Sequence, residues 1–184
     1  CYGVALFTAP QVETPLPTIG RPIRTGNPVV TRTARFVVPK DNPGAMGFVE
    51  HVSQAALIRN DMEAAERWLG QLVRMNPYNG SALNNFAMVL SSRGSPESVA
   101  VAEKALAMLP GQPSVMDTLA RALASQGRAP DAIAMQRRAV SAANGDPAFR
   151  LGLAEIYLRT GDKLSAKAEL DALDALGKRF AGHE

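Results

Sequence analysis

Five side chains stand out as candidates for chemistry: His51, His183, Cys1 and the carboxylate pair Asp171 and Asp174. Imidazole and thiolate are the common transition-metal ligands, but a zinc site gathers about four of them at short spacings. The histidines lie far apart and the one cysteine is residue 1, so no such spacing exists and no disulfide can form within the chain. Asp171 and Asp174, three apart on a helical pattern, read as a solvated face rather than as a general acid and base. No glycine-rich phosphate loop and no nucleophile elbow occurs. The expectation is a protein without catalytic residues, metal or cofactor, and therefore not an enzyme.

The elements that position the remaining residues are read from glycines. Gly94, Gly127 and Gly161 are spaced 33 and 34 residues apart, and Asn60 stands 34 before the first. Glycine and asparagine are the residues that most readily take the left-handed geometry of a helix end. Each follows an apolar helical run, such as Phe86–Leu90, Leu119–Leu123 and Leu153–Tyr157, and each precedes an alanine-rich second run. Four units of about 34 residues predict an all-α array of helical hairpins, over about 44–78, 79–111, 112–146 and 147–178. Ser95 and Pro96 suit an N-cap and first helical position for the second hairpin's return helix. The last hairpin is expected to end near Gly177, with 179–184 frayed.

Residues 1–43 form a different region. They hold seven of the thirteen prolines, a density that removes backbone donors and favours extended geometry. Within this arm the β-forming run Val29–Val38 could lie extended on its own helices or on a partner, with Val30, Phe36 and Val38 as anchors. Five of the twenty basic and two of the seventeen acidic side chains fall in residues 1–45, which leaves fifteen of each in the repeats. A neutral repeat region lacks the basic face that nucleic-acid binding requires, so that class is set aside. No run reaches the roughly 18–20 apolar residues of a spanning helix.

The repeat residues resemble the tetratricopeptide repeat (TPR) family over about residues 44–178. Tyr157, Gly161 and Ala166 fit its pattern, as do Ala65, Leu69 and Pro77. Ser53 stands at a usual Gly/Ala position, Gln136 at a usual bulky one, and the third unit's proline arrives late, at Pro147. The resemblance implies an α-solenoid whose first helices line a concave, protein-binding surface. In that register the groove candidates are Glu50, Gln54, Asn84, Met88, Asp117, Arg121, Glu155 and Arg159.

A narrower resemblance rests on Asn84-Asn85-Phe86-Ala87, Asp117-Thr118-Leu119 and Gly161-Asp162-Lys163. It is to TPR lipoproteins encoded with bacterial exopolysaccharide export systems, including the exosortase-associated group. Cys1 agrees with it, because a mature bacterial lipoprotein begins at the cysteine that carries lipid. The resemblance implies lipid attachment at Cys1, an arm acting as tether, and a periplasmic site in the bacterial envelope, with the outer membrane preferred. It further implies protein partners in polysaccharide or pilus export. The alternative is a non-lipidated adaptor or accessory subunit whose arm docks on a larger complex. Leu170, Leu173 and Phe180 are expected to leave an apolar edge on the C-terminal hairpin, open to self-association or a partner.

Overall fold

A computed structural model describes residues 43–181, with side-chain positions through Gly177. Among them are eight helices: α1 (Pro43–Ile58), α2 (Met62–Met75), α3 (Gly80–Ser92), α4 (Ser98–Met108), α5 (Pro113–Ser125), α6 (Ala129–Ala142), α7 (Pro147–Arg159) and α8 (Lys163–Ala181). The chain divides into two compact units, one ending at Gln71 and the other beginning at Leu72.

The turns within the hairpins are built one way. Asn60, Gly94, Gly127 and Gly161 all have positive φ, between 50° and 90°. The N–H of each bonds a carbonyl three residues back, and the next N–H bonds one five back. Asn60 and Asp61 reach Leu57 and Ala56, Gly94 and Ser95 reach Ser91 and Leu90, and Gly161 and Asp162 reach Leu158 and Tyr157. Gly127 and Arg128 do the same to Ala124 and Leu123. This pair of bonds satisfies two of the carbonyls that a helix end leaves open. The glycine spacing is therefore the spacing of four identical helix stops.

The first unit is one hairpin. Ala45, Val49, Ser53 and Ala56 make the buried stripe of α1, and Ala64, Ala65, Trp68 and Leu69 that of α2. Phe48 meets Trp68 edge-on at 6.1 Å. Asp61 caps α2, accepting from Ala64 N at 3.0 Å. Trp68 is fully buried packing, and truncating it to alanine would cost about 3–5 kcal/mol.

In the second unit small residues let the helices close up. Ser98, Ala102, Ala105, Ala132, Ala139 and Ala166 are all fully buried. Ala87, Ala102, Leu119, Ala120, Ala122, Leu123, Ala132 and Ile156 form one continuous core. The three hairpins α3–α4, α5–α6 and α7–α8 stack so that α3 touches α5 and α5 touches α7. Among the described residues the backbones of α4, α6 and α8 do not come close to one another. A row in contact on one side and splayed on the other curves, so α3, α5 and α7 line the inner face of this unit.

Two boundaries differ from the sequence expectation. Helix α4 starts at Ser98, not Pro96, with Glu97 at the cap position and no side-chain cap bond. Ser95 Oγ instead accepts from Glu97 N at 3.4 Å, holding a turn ahead of the helix. Helix α8 continues through Gly177 to Ala181, because one exposed glycine costs only about 1 kcal/mol in an otherwise alanine- and leucine-rich run.

Candidate functional site

The inner face of the second unit carries most of the expected groove residues. Asn84 and Met88 stand on α3, Asp117 and Arg121 on α5, and Glu155 and Arg159 on α7. Glu50 and Gln54 are exposed on α1 of the first unit. Cys1, Val30, Phe36, Val38, His183 and the side chain of Phe180 lie outside the described residues.

Three of the candidates form one structure. Arg121 Nε donates to Asp117 Oδ2 at 2.9 Å, one turn away, and Arg121 Nη1 donates to Glu155 Oε2 at 2.8 Å in the next repeat. Burial of the guanidinium works against its charge and is the largest single influence. The charge and hydrogen bond of Asp117, joined by those of Glu155, outweigh it and raise the Arg121 pKa above its ordinary value. The guanidinium thus stays charged and is held across two repeats.

Beneath this cluster lie two residues that the groove reading missed. Gln136 is fully buried. Its Nε2 donates to Asp117 Oδ1 at 2.7 Å and to the Phe149 carbonyl at 2.9 Å, tying α6 to α5 and α7. Both partners are acceptors, so the amide orientation is fixed, and Oε1 has no partner. Gly152 makes room for this: a Cβ there would sit 2.7 Å from Gln136 Nε2, 2.8 Å from Asp117 Oδ1 and 3.2 Å from Arg121 Nη2. A polar side chain at the usual bulky position was one sequence signal, and a glycine in the middle of a helix was the other.

Away from the cluster the face changes character. Asn84 is half-buried, and its Oδ1 is enclosed without a hydrogen-bond partner. It borders a recess of about 330 Å³ lined also by Asn85, Gln112, Ser114, Leu109 and Val115. Met88 on α3 and Leu151 and Leu158 on α7 are exposed apolar side chains. Arg159 is exposed at the end of α7, apart from the Arg121 cluster. His51 is exposed, its Nδ1 2.9 Å from the Gly47 carbonyl. Asp171 pairs with Lys167 at 2.6 Å, the solvated face expected of it.

The tetratricopeptide repeat family model matches residues 123–179, which hold the end of α5, all of α6 and α7, and most of α8. These residues carry tetratricopeptide repeats. The fold is shared with MamA, in the RS-1 ArsTM double mutant, at 15% identity over 75% of this chain and 78% of that one, with a TM-score of 0.64. YrrB, described as a TPR protein with an unusual peptide-binding site, matches at 14% identity over 72% of this chain and 69% of its own, with a TM-score of 0.59. Thermobaculum terrenum O-GlcNAc transferase matches at 19% identity and a TM-score of 0.57 over 61% of this chain. The matched part spans only 22% of that enzyme's chain. No curated protein matches in sequence. The matched residues carry repeats of the kind that make protein–protein interaction scaffolds, and they belong to the unit whose inner face is α3, α5 and α7.

Proposed function

We propose that the inner face of α3, α5 and α7 binds an extended segment of a partner protein. The observation that carries this is the sequence of surfaces along that face: an amide-lined recess at Asn84, a fixed cation at Arg121, and exposed Met88, Leu151 and Leu158 around them. Asn84, Asn85 and Gln112 offer amide donors and acceptors that match a peptide backbone. Arg121 can donate to a carboxylate or a carbonyl, and the exposed apolar side chains take apolar side chains of the ligand. The likeness in fold to YrrB, a TPR protein with a peptide-binding site, supports a peptide-like ligand. The reading contains no catalytic step and no cofactor.

The same reading extends to a place in the cell. A lipid on Cys1 and the proline-rich arm as spacer would moor the repeats on the periplasmic side of a bacterial envelope, in polysaccharide or pilus export. What supports it is a thiol followed by seven prolines before residue 44, together with the Asn-Asn-Phe-Ala and Asp-Thr-Leu likenesses. Self-association through the C-terminal hairpin belongs to this reading too.

Affinity capture of partners from a host extract, followed by titration of the captured segment, tests the groove. Asn84→Ala and Arg121→Ala are each expected to weaken binding about tenfold, in the range of a buried contact of 1–2 kcal/mol. Unchanged affinity in the double variant would remove the groove from the proposal. The mass of the protein isolated from its native host tests the mooring: a Cys1 without diacylglycerol would end it.

A further inference from the structure

Two Asn-Gly dipeptides occur in the chain, Asn79-Gly80 and Asn144-Gly145. This pairing supports a reaction that needs no enzyme. The backbone nitrogen of the following residue attacks the asparagine side-chain carbonyl, and glycine hinders it least because it has no Cβ. In a folded protein two conditions govern it. The side-chain amide must be free to swing onto the chain, and the attacking N–H must not be held in a hydrogen bond.

Asn79 fails the first condition. Its Oδ1 accepts from Ala82 N at 3.0 Å and caps α3. Gly80 is buried, and a Cβ there would lie 2.7 Å from Leu109 Cγ, so the backbone has little room to turn. Asn60 fails the second. Like Asn144 it is exposed and has a positive φ, but the next N–H, that of Asp61, is bonded to the Ala56 carbonyl at 2.9 Å. Asp61 also carries the Cβ that glycine lacks.

Asn144 meets both. The end of α6 is built differently from the four stops within the hairpins, where the N–H after the left-handed residue bonds a carbonyl five back. Here Asp146 N, one residue later, bonds the Ala143 carbonyl at 3.1 Å. Among the described residues the Gly145 N–H and the Asn144 side chain make no hydrogen bond. Both residues are exposed, with φ of 50° and 90°, and nothing lies near the position of a Cβ at Gly145.

We propose that Asn144 is a site of self-modification, converting to aspartate and isoaspartate in the folded protein while Asn79 and Asn60 persist. The Gly145 nitrogen gives its proton to hydroxide and bonds to Asn144 Cγ. The Cγ–Nδ2 bond breaks, and ammonia leaves with a proton from water. A second water opens the succinimide. Cleavage between Cγ and the nitrogen gives aspartate, and cleavage at the backbone carbonyl gives isoaspartate, in which the chain runs through Cβ and Cγ. Neither step changes an oxidation state. Either product places a carboxylate at the C-terminal end of α6, the negative pole of that helix. Isoaspartate also lengthens by one methylene the link between α6 and α7, two helices that the Gln136–Phe149 hydrogen bond joins.

Incubation of the full 184-residue chain at neutral and mildly alkaline pH, followed by peptide mapping with mass spectrometry, tests this. Labelling by an isoaspartyl methyltransferase separates isoaspartate from aspartate, and a parallel sample in urea gives each asparagine's rate without the fold. Asn144 is expected to convert in the folded chain at close to its unfolded rate, and faster as pH rises. Asn79 should convert at least about tenfold more slowly than in urea, since its cap must open first. An Asn144 slowed by folding as much as Asn79 would overturn the proposal, and so would an Asn79 that converts as fast as Asn144 in the folded chain. Asn144→Gln, whose extra methylene disfavours the ring, is expected to show no label in the peptide spanning the α6–α7 link, with circular dichroism confirming that it is folded. Asp146 cannot supply that label, because Pro147 has no N–H to react. A label that persists there would overturn the assignment to Asn144.

Discussion

Arg121 and Glu155 are 34 residues apart in sequence and 2.8 Å apart in space, joined across two successive repeats at the same position of each. The guanidinium and the carboxylate are 40% and 46% exposed. A pair this open to water contributes about 0–1 kcal/mol. Its role is to hold the guanidinium in one place. Glu155→Gln is expected to lower stability by less than about 1 kcal/mol, with the difference shrinking in high salt. Urea unfolding at low and high ionic strength measures both.

Gly152→Ala should destabilise the protein even though alanine is the better helix former. The gain in propensity is about 1 kcal/mol. Against it stands overpacking of about 1–3 kcal/mol, because the added methyl meets Gln136 Nε2, which is held by two hydrogen bonds and cannot withdraw. Combining it with Gln136→Ala should return part of the loss. A double-mutant cycle by thermal or urea melting reads this coupling, and additive losses would refute the contact.

Two other glycines should respond in opposite directions. Gly127 has φ of 75° at a helix stop, where an L side chain costs about 1–2 kcal/mol, so Gly127→Ala should lower the melting temperature. Gly47 lies within α1 with nothing near the position of a Cβ, so Gly47→Ala should stabilise by about 0.5–1 kcal/mol.

Asp162 should make the last hairpin acid-sensitive. Its pKa is lowered below the ordinary carboxylate value, chiefly by hydrogen bonds from Ser165, whose backbone N–H lies 3.0 Å from Oδ1. A lowered folded-state pKa means the stabilisation is complete above the unfolded pKa and is lost as pH falls through the folded one. The contribution should therefore fade only below the usual aspartate range. Asp162→Asn, which still accepts from the α8 N-terminus, should flatten that part of the stability–pH curve measured by urea unfolding.

The hairpins were legible because the signal was local and repeated. A left-handed residue at the end of each first helix forces the same two hydrogen bonds, so Asn60 and the three glycines mark four stops regardless of what packs on them. The start of α4 was not legible, since Ser95 and Pro96 satisfy the rules for a helix start equally well two residues early. In the candidate site, Asp117, Arg121 and Glu155 were found one by one as outward positions. Their union was hidden because it depends on which side chains meet across α5, α6 and α7, and the signals at Gln136 and Gly152 do not name the residues they meet. Leu170 was expected to be exposed, and it is.

Each outer helix of the second unit bears on the next inner one as well as on its own partner, α4 on α5 and α6 on α7, while α3, α5 and α7 bear on each other. Mechanically the unit is a row of braced plates, not a row of free ones. A bulkier or slimmer guest on the inner face changes the curvature by working against both sets of contacts at once, and between α5 and α7 it also works against the Arg121–Glu155 link and the Gln136 amide.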